Sequence, residues 1–580
     1  MSFLSRIAAL AFACLAATPT FASQPEQSTL GGIPRTYADR IILNADVYTS
    51  NPTAPHAQAV AAKNGSIIWV GTNASVLNFR GPSTKVENLH GKQVLPGFVD
   101  AHEHMLFPFE AATELCFVPT FDEDGQVVIG ADGIPVLNMD PTFDEVRTFA
   151  SICAQQRPAG AWSVFLFGRK FYLSSHGRNI RVELSLASPN NPVTGFDAFE
   201  GHGQFANNAA LNAAGISIWD ADPYSGLYGR AADGSLDGFV HEVGAQALVF
   251  AAMATRHPDS YFAAQYTHWL DVAASVGIVS ALDIPFEYSP TRAAAVKALV
   301  SHPVNLTVAC LPLSPTDVCP EGLRAASGKL WIKSFADGGL KACIGWSKRG
   351  YLNSDEQCPS IYTPGYLGHS NLSHAEMAAA YRRVKSTPNA CSIIHAYGSA
   401  AAQFALDVAK EEHMQGQCGT MEHWDMADPE TVDGLAQLGW PLVQNPGHIQ
   451  LKPVIDEYLT ATEAGRASPY ASVMARGVRL AFGRDGFGPI APGVDSPFAW
   501  IAQVMEHWDP SERLTAEQGV IAATRESAQA RREVGGMLVP GYPASWVEVD
   551  RKVIGADAAT VRAATVLRTV IRGQDVYTAP

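Results

Sequence analysis

The 580-residue sequence contains no run of Lys and Arg, no Cys-x-x-Cys pair, no internal repeat and no low-complexity tract. Each gap removes a class of function. Nucleic acids and anionic membrane surfaces are bound mainly through basic clusters, and a formal net charge of −15 argues further against both. A zinc site built on cysteines has no support, because such sites use closely spaced thiolates. Also lacking is an apolar segment of the ~20 residues that span a bilayer. The run Ile7–Ala17 is too short. Charged residues make up only 17% of the chain against 47% hydrophobic, so it can bury a large core in more than one domain.

What the N-terminus does hold is the form of a secretory signal. "MSFLSRIAALAFACLAATPTFASQ" has one early Arg6, the short apolar run, Pro19 and then small residues, with cleavage expected after Ala22 or Ser23. Ala11 and Phe12 fit an acylation signal at Cys14 poorly. Residues 1–22 are therefore expected to be removed, and the mature chain to be periplasmic or secreted. Eight cysteines then remain, an even number that permits disulfides in an exported protein. Cys310–Cys319 and Cys343–Cys358 are close enough to form local loops. Cys391 and Cys418, within or beside apolar runs, read equally well as buried free thiols.

Two styles of patterning divide the chain. Residues 38–95 alternate short apolar runs with turns, including the hairpin signal Asn64-Gly65, and 533–580 resume that style. A small β-sandwich domain built from both termini is expected. Between them, residues 96–532 alternate short apolar strands with Ala-rich helical stretches, the signature of βα units and a parallel sheet. Eight strands are predicted: "QVLPGFVDAH", "GIVSALDI", "VNLTVACL", "LWIKSFAD", "CSIIHAY", "GTMEHW", "PLVQN" and "VRLAFGRD". Eight is the number that closes a (β/α)₈ TIM barrel, whose active sites lie at the C-terminal ends of the strands. The long stretch after the first strand, about 105–270, is a large insertion able to cover one barrel face.

Six residues share one place, the end of an otherwise apolar strand: His102 and His104 in the first, Lys333 in the fourth, His395 in the fifth, His423 in the sixth and Asp485 in the eighth. In a strand, side chains two apart point the same way, so the His102/His104 pair faces together. Each alone has a dull explanation. Together they predict a metal site, since nitrogen and oxygen ligands converging on a barrel mouth are how hydrolytic metal centres are assembled. Lys333 adds to this, because an unpaired ammonium buried after "GKLWI" is costly.

The motifs "LPGFVDAHEHM", "IKSFADGG", "IIHAYGSAA", "MEHWD" and "FGRDG" resemble the metal-dependent amidohydrolase superfamily. Within it they are similar to the YtcJ-like group, which includes N-substituted formamide deformylases. "EGHGQFANNAALNAAGI" (200–216) and "ADGSLDGFVHE" (232–242) look like that group's inserted lobe. The resemblance implies two divalent ions, usually zinc. His102, His104 and Asp485 would hold one and His395 and His423 the other, with Lys333 bridging as a carbamate made with carbon dioxide. Asp485 would also be the catalytic general base.

Some positions depart from the group: Ser399 stands where an acidic residue is common, Arg484 where a Ser usually precedes the Asp, and Ser545-Trp546 in place of the usual tail. These put the substrate range in doubt but remove no expected ligand. His448 in "QNPGHIQ" and His202 in "EGHGQF" are candidates for substrate binding. Glu103 should point away from the ligand pair, His507 should lie on a helical surface, and the acidic run "FDEDG" (121–125) reads as solvated charge rather than a calcium loop. The expected function is hydrolysis of a non-peptide C–N bond in a small-molecule amide, with a homo-oligomer compatible. A cyclic-amide hydrolase, a deaminase, or a non-catalytic regulator of exoenzyme production on this scaffold are the alternatives.

Overall fold

The computed structural model describes residues 36–110, 113–131, 133–197, 201–340, 343–352, 366–486 and 495–580. The expected signal segment and Cys358 lie outside them. Eight parallel strands form the centre, numbered here β1 (Phe98–Glu103), β2 (Ile278–Asp283), β3 (Asn305–Val308), β4 (Leu330–Phe335), β5 (Ala390–Ala396), β6 (Gly419–His423), β7 (Leu442–Gln444) and β8 (Leu480–Phe482). They coincide with the eight strands predicted. Most are buried along their whole length, as expected for strands covered on both faces. Parallel pairing links β1 to β2 and β2 to β3, with register shifts in the β1–β2 pair at Ile278/Ser280 and Ala281/Asp283, and links β4 through to β8. Cys310 joins β3 to β4: its N–H donates to Trp331 O, and its carbonyl accepts from Lys333 N. The ring closes where the Asp485 N–H donates to His102 O at 2.9 Å. The result is a TIM barrel.

Strands from both chain ends meet below the barrel. A four-stranded sheet carries Arg40–Leu43, Ala59–Lys63, Ser66–Gly71 and Lys85–Asn88. A six-stranded sheet sets Gln93–Pro96 antiparallel to Trp546–Val549. Ile42, Val60, Val94, Trp546 and Val570 belong to one buried cluster shared between these sheets. Asn64 and Gly65 both take positive φ (49° and 75°), as a two-residue hairpin turn requires.

The insertion after β1 carries its own mixed five-stranded sheet, from Ser163–Phe167 to Leu236–His241. Its core includes Phe286, Leu311 and Phe335 of the barrel mouth, so lobe and barrel share one apolar contact. The helix Asp259–Ser275 buries Phe262, Tyr266, Trp269 and Leu270 in the main barrel core, so by packing the lobe ends near residue 258.

Three disulfides join described cysteines: Cys116–Cys153, Cys310–Cys319 and Cys391–Cys418, and Cys343 is also disulfide-bonded. The free-thiol reading of Cys391 and Cys418 is therefore corrected. They begin the adjacent strands β5 and β6, where the Ser392 N–H donates to Cys418 O and the Cα atoms stand 4.6 Å apart. Cys391→Ser should lower stability by about 2–4 kcal/mol, since the bond closes a long loop. Denaturant titrations of the two proteins without reductant check this; an unchanged midpoint would show that the bond does not form.

Candidate metal centre

β1 aims alternate side chains at the barrel mouth, and His102 and His104 lie there with ring centroids 5.4 Å apart. Each ring is fixed through Nδ1. His102 Nδ1 donates to Glu422 Oε2 at 2.8 Å, and His104 Nδ1 donates to Ile284 O at 2.7 Å. That leaves both Nε2 lone pairs facing Asp485, whose Oδ1 is 3.2 Å from His102 Nε2 and 3.3 Å from His104 Nε2. Burial pushes the His104 imidazole down to about 4, so it is neutral at pH 7. Burial would raise Asp485, but His423 and His102 outweigh it and hold the carboxyl well below the usual range. A lone pair and a carboxylate so placed repel unless a proton or a metal ion sits between them. Donor atoms about 2.0–2.1 Å from one tetrahedral ion stand roughly 3.3 Å apart, so the spacing fits a divalent metal.

The other expected residues meet at the same place. His423 lies 4.7 Å from His102 and 4.3 Å from His395, ring to ring. His102, His423 and Asp485 each offer a ligand atom within 4.8 Å of the others. His423 Nδ1 donates to Asn445 Oδ1 at 2.8 Å, and its Nε2, like that of His395, is buried with no hydrogen bond to a described residue. Burial drives both rings well below the ordinary histidine range, so they are neutral and available as ligands. Lys333 is 1% exposed, and its Nζ makes no hydrogen bond to a described residue but lies over the Phe335 ring, 4.5 Å from its centroid. Burial lowers it to about 8, although Glu422 and Asp485 pull the other way. This donor set fits divalent ions, with the amine the one member that is not yet a good ligand.

Strain is concentrated here. His423, Trp424 and Asp485 all have positive φ (66°, 55° and 54°), a region that costs non-glycine residues about 1–3 kcal/mol each. The turn at His423 breaks strand alternation: Thr420 and Glu422 face inward, yet His423 is still brought to the mouth. Glu103 is buried, as its alternation away from the pair requires. Its Oε1 accepts from the N–H groups of His104 and Gly486, and its Oε2 from Arg484 at 3.1 Å. Arg484 thus anchors the segment that carries Asp485.

Both weaker candidates line the site. His202 comes from the lobe, donates from Nδ1 to Glu242 Oε2 at 3.1 Å, and lies 4.8 Å from the His395 ring. Glu242 also accepts from Asn371 Nδ2 at 2.6 Å. His448 donates from Nδ1 to Asp425 Oδ2 at 2.6 Å, with Nε2 3.3 Å from Asp485 Oδ2. Burial alone would lower His448, but Asp425 and Asp485 raise it to about 10, making it a cationic donor. A small cavity lies among His104, His202, His395, His423, Asp485 and Phe335. Two expectations separate from this centre. His507 is fully buried rather than on a surface, because it caps the loop after helix Pro497–Met505 and packs edge-on against Tyr470. Residues 121–125 are exposed, with Asp122 Oδ1 spent on the N–H groups of Asp124 and Gln126.

Sequence reasoning missed Glu422 and Arg531. Arg531 is 1% exposed and pairs with Glu422 Oε2 at 3.0 Å while also donating to Ala101 O and Thr420. Burial would raise Glu422, but Arg531 and then His102 bring it down to about 2, so it stays ionised and orients the His102 ring. The signal was present in the carboxylate one residue before His423, on the inward face of β6. Glu422→Gln should weaken metal binding about 10- to 100-fold, as loss of ligand-orienting partners does. Chelator competition reads the affinity, and thermal melting separates it from instability caused by an unpaired Arg531.

Comparison with known proteins supports the same assignment. The profile of the "Amidohydrolase family" matches residues 129–577. An N-substituted formamide deformylase of Arthrobacter pascens is 25% identical over 566 residues, 92% of this chain and 97% of that protein. The putative amidohydrolase YtcJ of Bacillus subtilis is 23% identical, over 92% of this chain and 98% of its own. Among solved structures, an uncharacterized metal-dependent hydrolase from Pyrococcus furiosus superposes with a TM-score of 0.58 at 17% identity, covering 89% of this chain and 99% of that one. With a profile matched across most of its length and a barrel of the same fold, the chain belongs to the amidohydrolase family.

Proposed function

We propose that the protein is an exported, zinc-dependent amidohydrolase that cleaves a non-peptide C–N bond, in an amide, N-formyl or N-acyl group of a small molecule. The observation that carries this reading is the convergence of His102, His104 and His423 on one ionised carboxylate, Asp485, beside a buried Lys333 with no hydrogen bond to a described residue. His102, His104 and Asp485 would hold one ion, and His395 and His423 a second. Lys333 would join the two after its neutral amine adds carbon dioxide, forming an N–C bond and releasing a proton to give a carbamate. When bound, the ions polarise the substrate carbonyl and acidify water, which supplies hydroxide near neutral pH.

The protein's own groups do the rest. Asp485 accepts the attacking water's proton through a carboxylate oxygen and returns it to the leaving nitrogen as the C–N bond breaks, giving an acid and an amine. His448, cationic between two carboxylates, and His202, held by Glu242, are the donors placed to bind the substrate's carbonyl side. The lobe covers the mouth and keeps bulk water from the exchange. Export is supported by the disulfides, which persist in oxidising compartments.

Metal analysis of the purified protein should find close to two equivalents, and Lys333→Ala should hold fewer than one of them. Asp485→Asn should fold and lose about 10²–10⁴ in kcat/KM toward any hydrolysed amide, the contribution typical of positioned proton transfer. Retained turnover in Asp485→Asn would remove the residue from its assigned role.

A further inference from the structure

A continuous chain of hydrogen bonds runs from His395 in the barrel to His202 in the lobe, whose rings stand 4.8 Å apart. His395 O accepts the Ala336 N–H at 2.9 Å, and Ala336 O accepts the Asn371 N–H at 2.9 Å. Asn371 Nδ2 then donates to Glu242 Oε2 at 2.6 Å, and the same oxygen accepts from His202 Nδ1 at 3.1 Å. Asn371 Nδ2 also donates to Asp337 O at 2.8 Å. Asp337 is itself held to the turn after β5, where its carboxylate accepts the N–H groups of Tyr397 and Gly398, each at 2.8 Å. Asn371 thus fastens the segment after β4 to the end of β5 through its backbone, and to the lobe through its side chain.

Several features of this bridge are unfavourable by themselves. Both partners of Asn371 Nδ2 are acceptors, so the amide can point only this way, and its Oδ1 is left buried with no hydrogen bond to a described residue. Glu242 is fully buried, takes positive φ (67°), and its Oε1 likewise makes no hydrogen bond to a described residue. Its carboxylate fills the space over Gly338, where a Cβ would fall 1.7 Å from Oε1. Left-handed backbone and buried unsatisfied oxygens persist only where the surroundings enforce them. Attachment of the lobe does not require them, since the apolar cluster around Phe286, Leu311 and Phe335 already joins it to the barrel. Apolar contact is non-directional, however, and does not set the angle of one ring. Glu242 does, because it grips His202 twice: besides bonding the ring, its N–H donates to His202 O at 3.1 Å.

We infer that Asn371 and Glu242 are positioning residues that register the lobe's His202 to the barrel, and so fix where that ring stands over the metal cavity. Neither residue lines the cavity, so their effect passes through the His202 ring. The inference rests on the hydrolase reading for the contact of His202 with substrate, but not for the placement of the ring.

NMR of the zinc-loaded full chain, isotope-labelled at histidine nitrogen, tests the placement. The wild type should show a slowly exchanging ring N–H signal that disappears in His202→Gln. Asn371→Ala removes the bridge, and Gly338→Ala displaces the Glu242 carboxylate, while both leave every candidate ligand in place. Each should move that signal and speed its exchange with water by at least about tenfold, the equivalent of one hydrogen bond to a charged group. Thermal melting confirms that the variants fold; should Asn371→Ala not fold, Gly338→Ala carries the test. Formate release from N-methylformamide gives a second arm. His202→Ala and Asn371→Ala should each raise KM by about three- to tenfold with kcat little changed. The double variant should be no worse than His202→Ala, because both substitutions act through one ring. An unchanged ring signal in the folded variants would overturn the proposal, as would a wild type with no protected ring signal from His202. Losses that multiply in the double variant would overturn it too, since a merely structural Asn371 behaves that way. A wild type that releases no formate would count against the hydrolase reading alone, and the ring signal then decides.

Discussion

The structure turns on a repulsion that a proton or a bound metal ion relieves. Two imidazole lone pairs, fixed by hydrogen bonds on the opposite side of each ring, face the same oxygen of an ionised carboxylate. Glu422 and Ile284 O prevent the rings from turning, and Glu103 holds the segment that carries the carboxylate. Buried Arg531 in turn keeps Glu422 charged. Each of these groups is several bonds from the mouth, yet each enforces the same unfavourable arrangement, whose cost is offset when an ion is bound. Positive φ at His423 and Asp485 adds to the stored strain.

The lobe makes a site of what would otherwise be an open mouth. It supplies His202, ordered by a glutamate that is itself in a left-handed conformation (Glu242, φ 67°) and shared with Asn371 from the barrel side. Its phenylalanines extend the wall of the cavity beyond the ligands.

Much of this was legible in the order of residues. All eight barrel strands could be read, because buried parallel strands are short apolar runs separated by helices. The six strand-end residues could be read because polar groups at the end of such runs are conspicuous. What was hidden depends on pairing across distance. Glu422 looks like any strand carboxylate until Arg531 is brought against it, and Cys391 looks like a core thiol until β6 places Cys418 beside it. His507 was misjudged because helix ending and loop burial are set by tertiary packing that local periodicity does not carry.

The contact between His102 O and Asp485 N closes the barrel with residues from near the end of the first strand and the end of the eighth unit. A nascent chain therefore exposes its first histidine pair long before the carboxylate that completes the donor set has been synthesised. Metal capture in the finished geometry must come after chain completion, so the ion is taken from whichever compartment the chain reaches before the ring shuts.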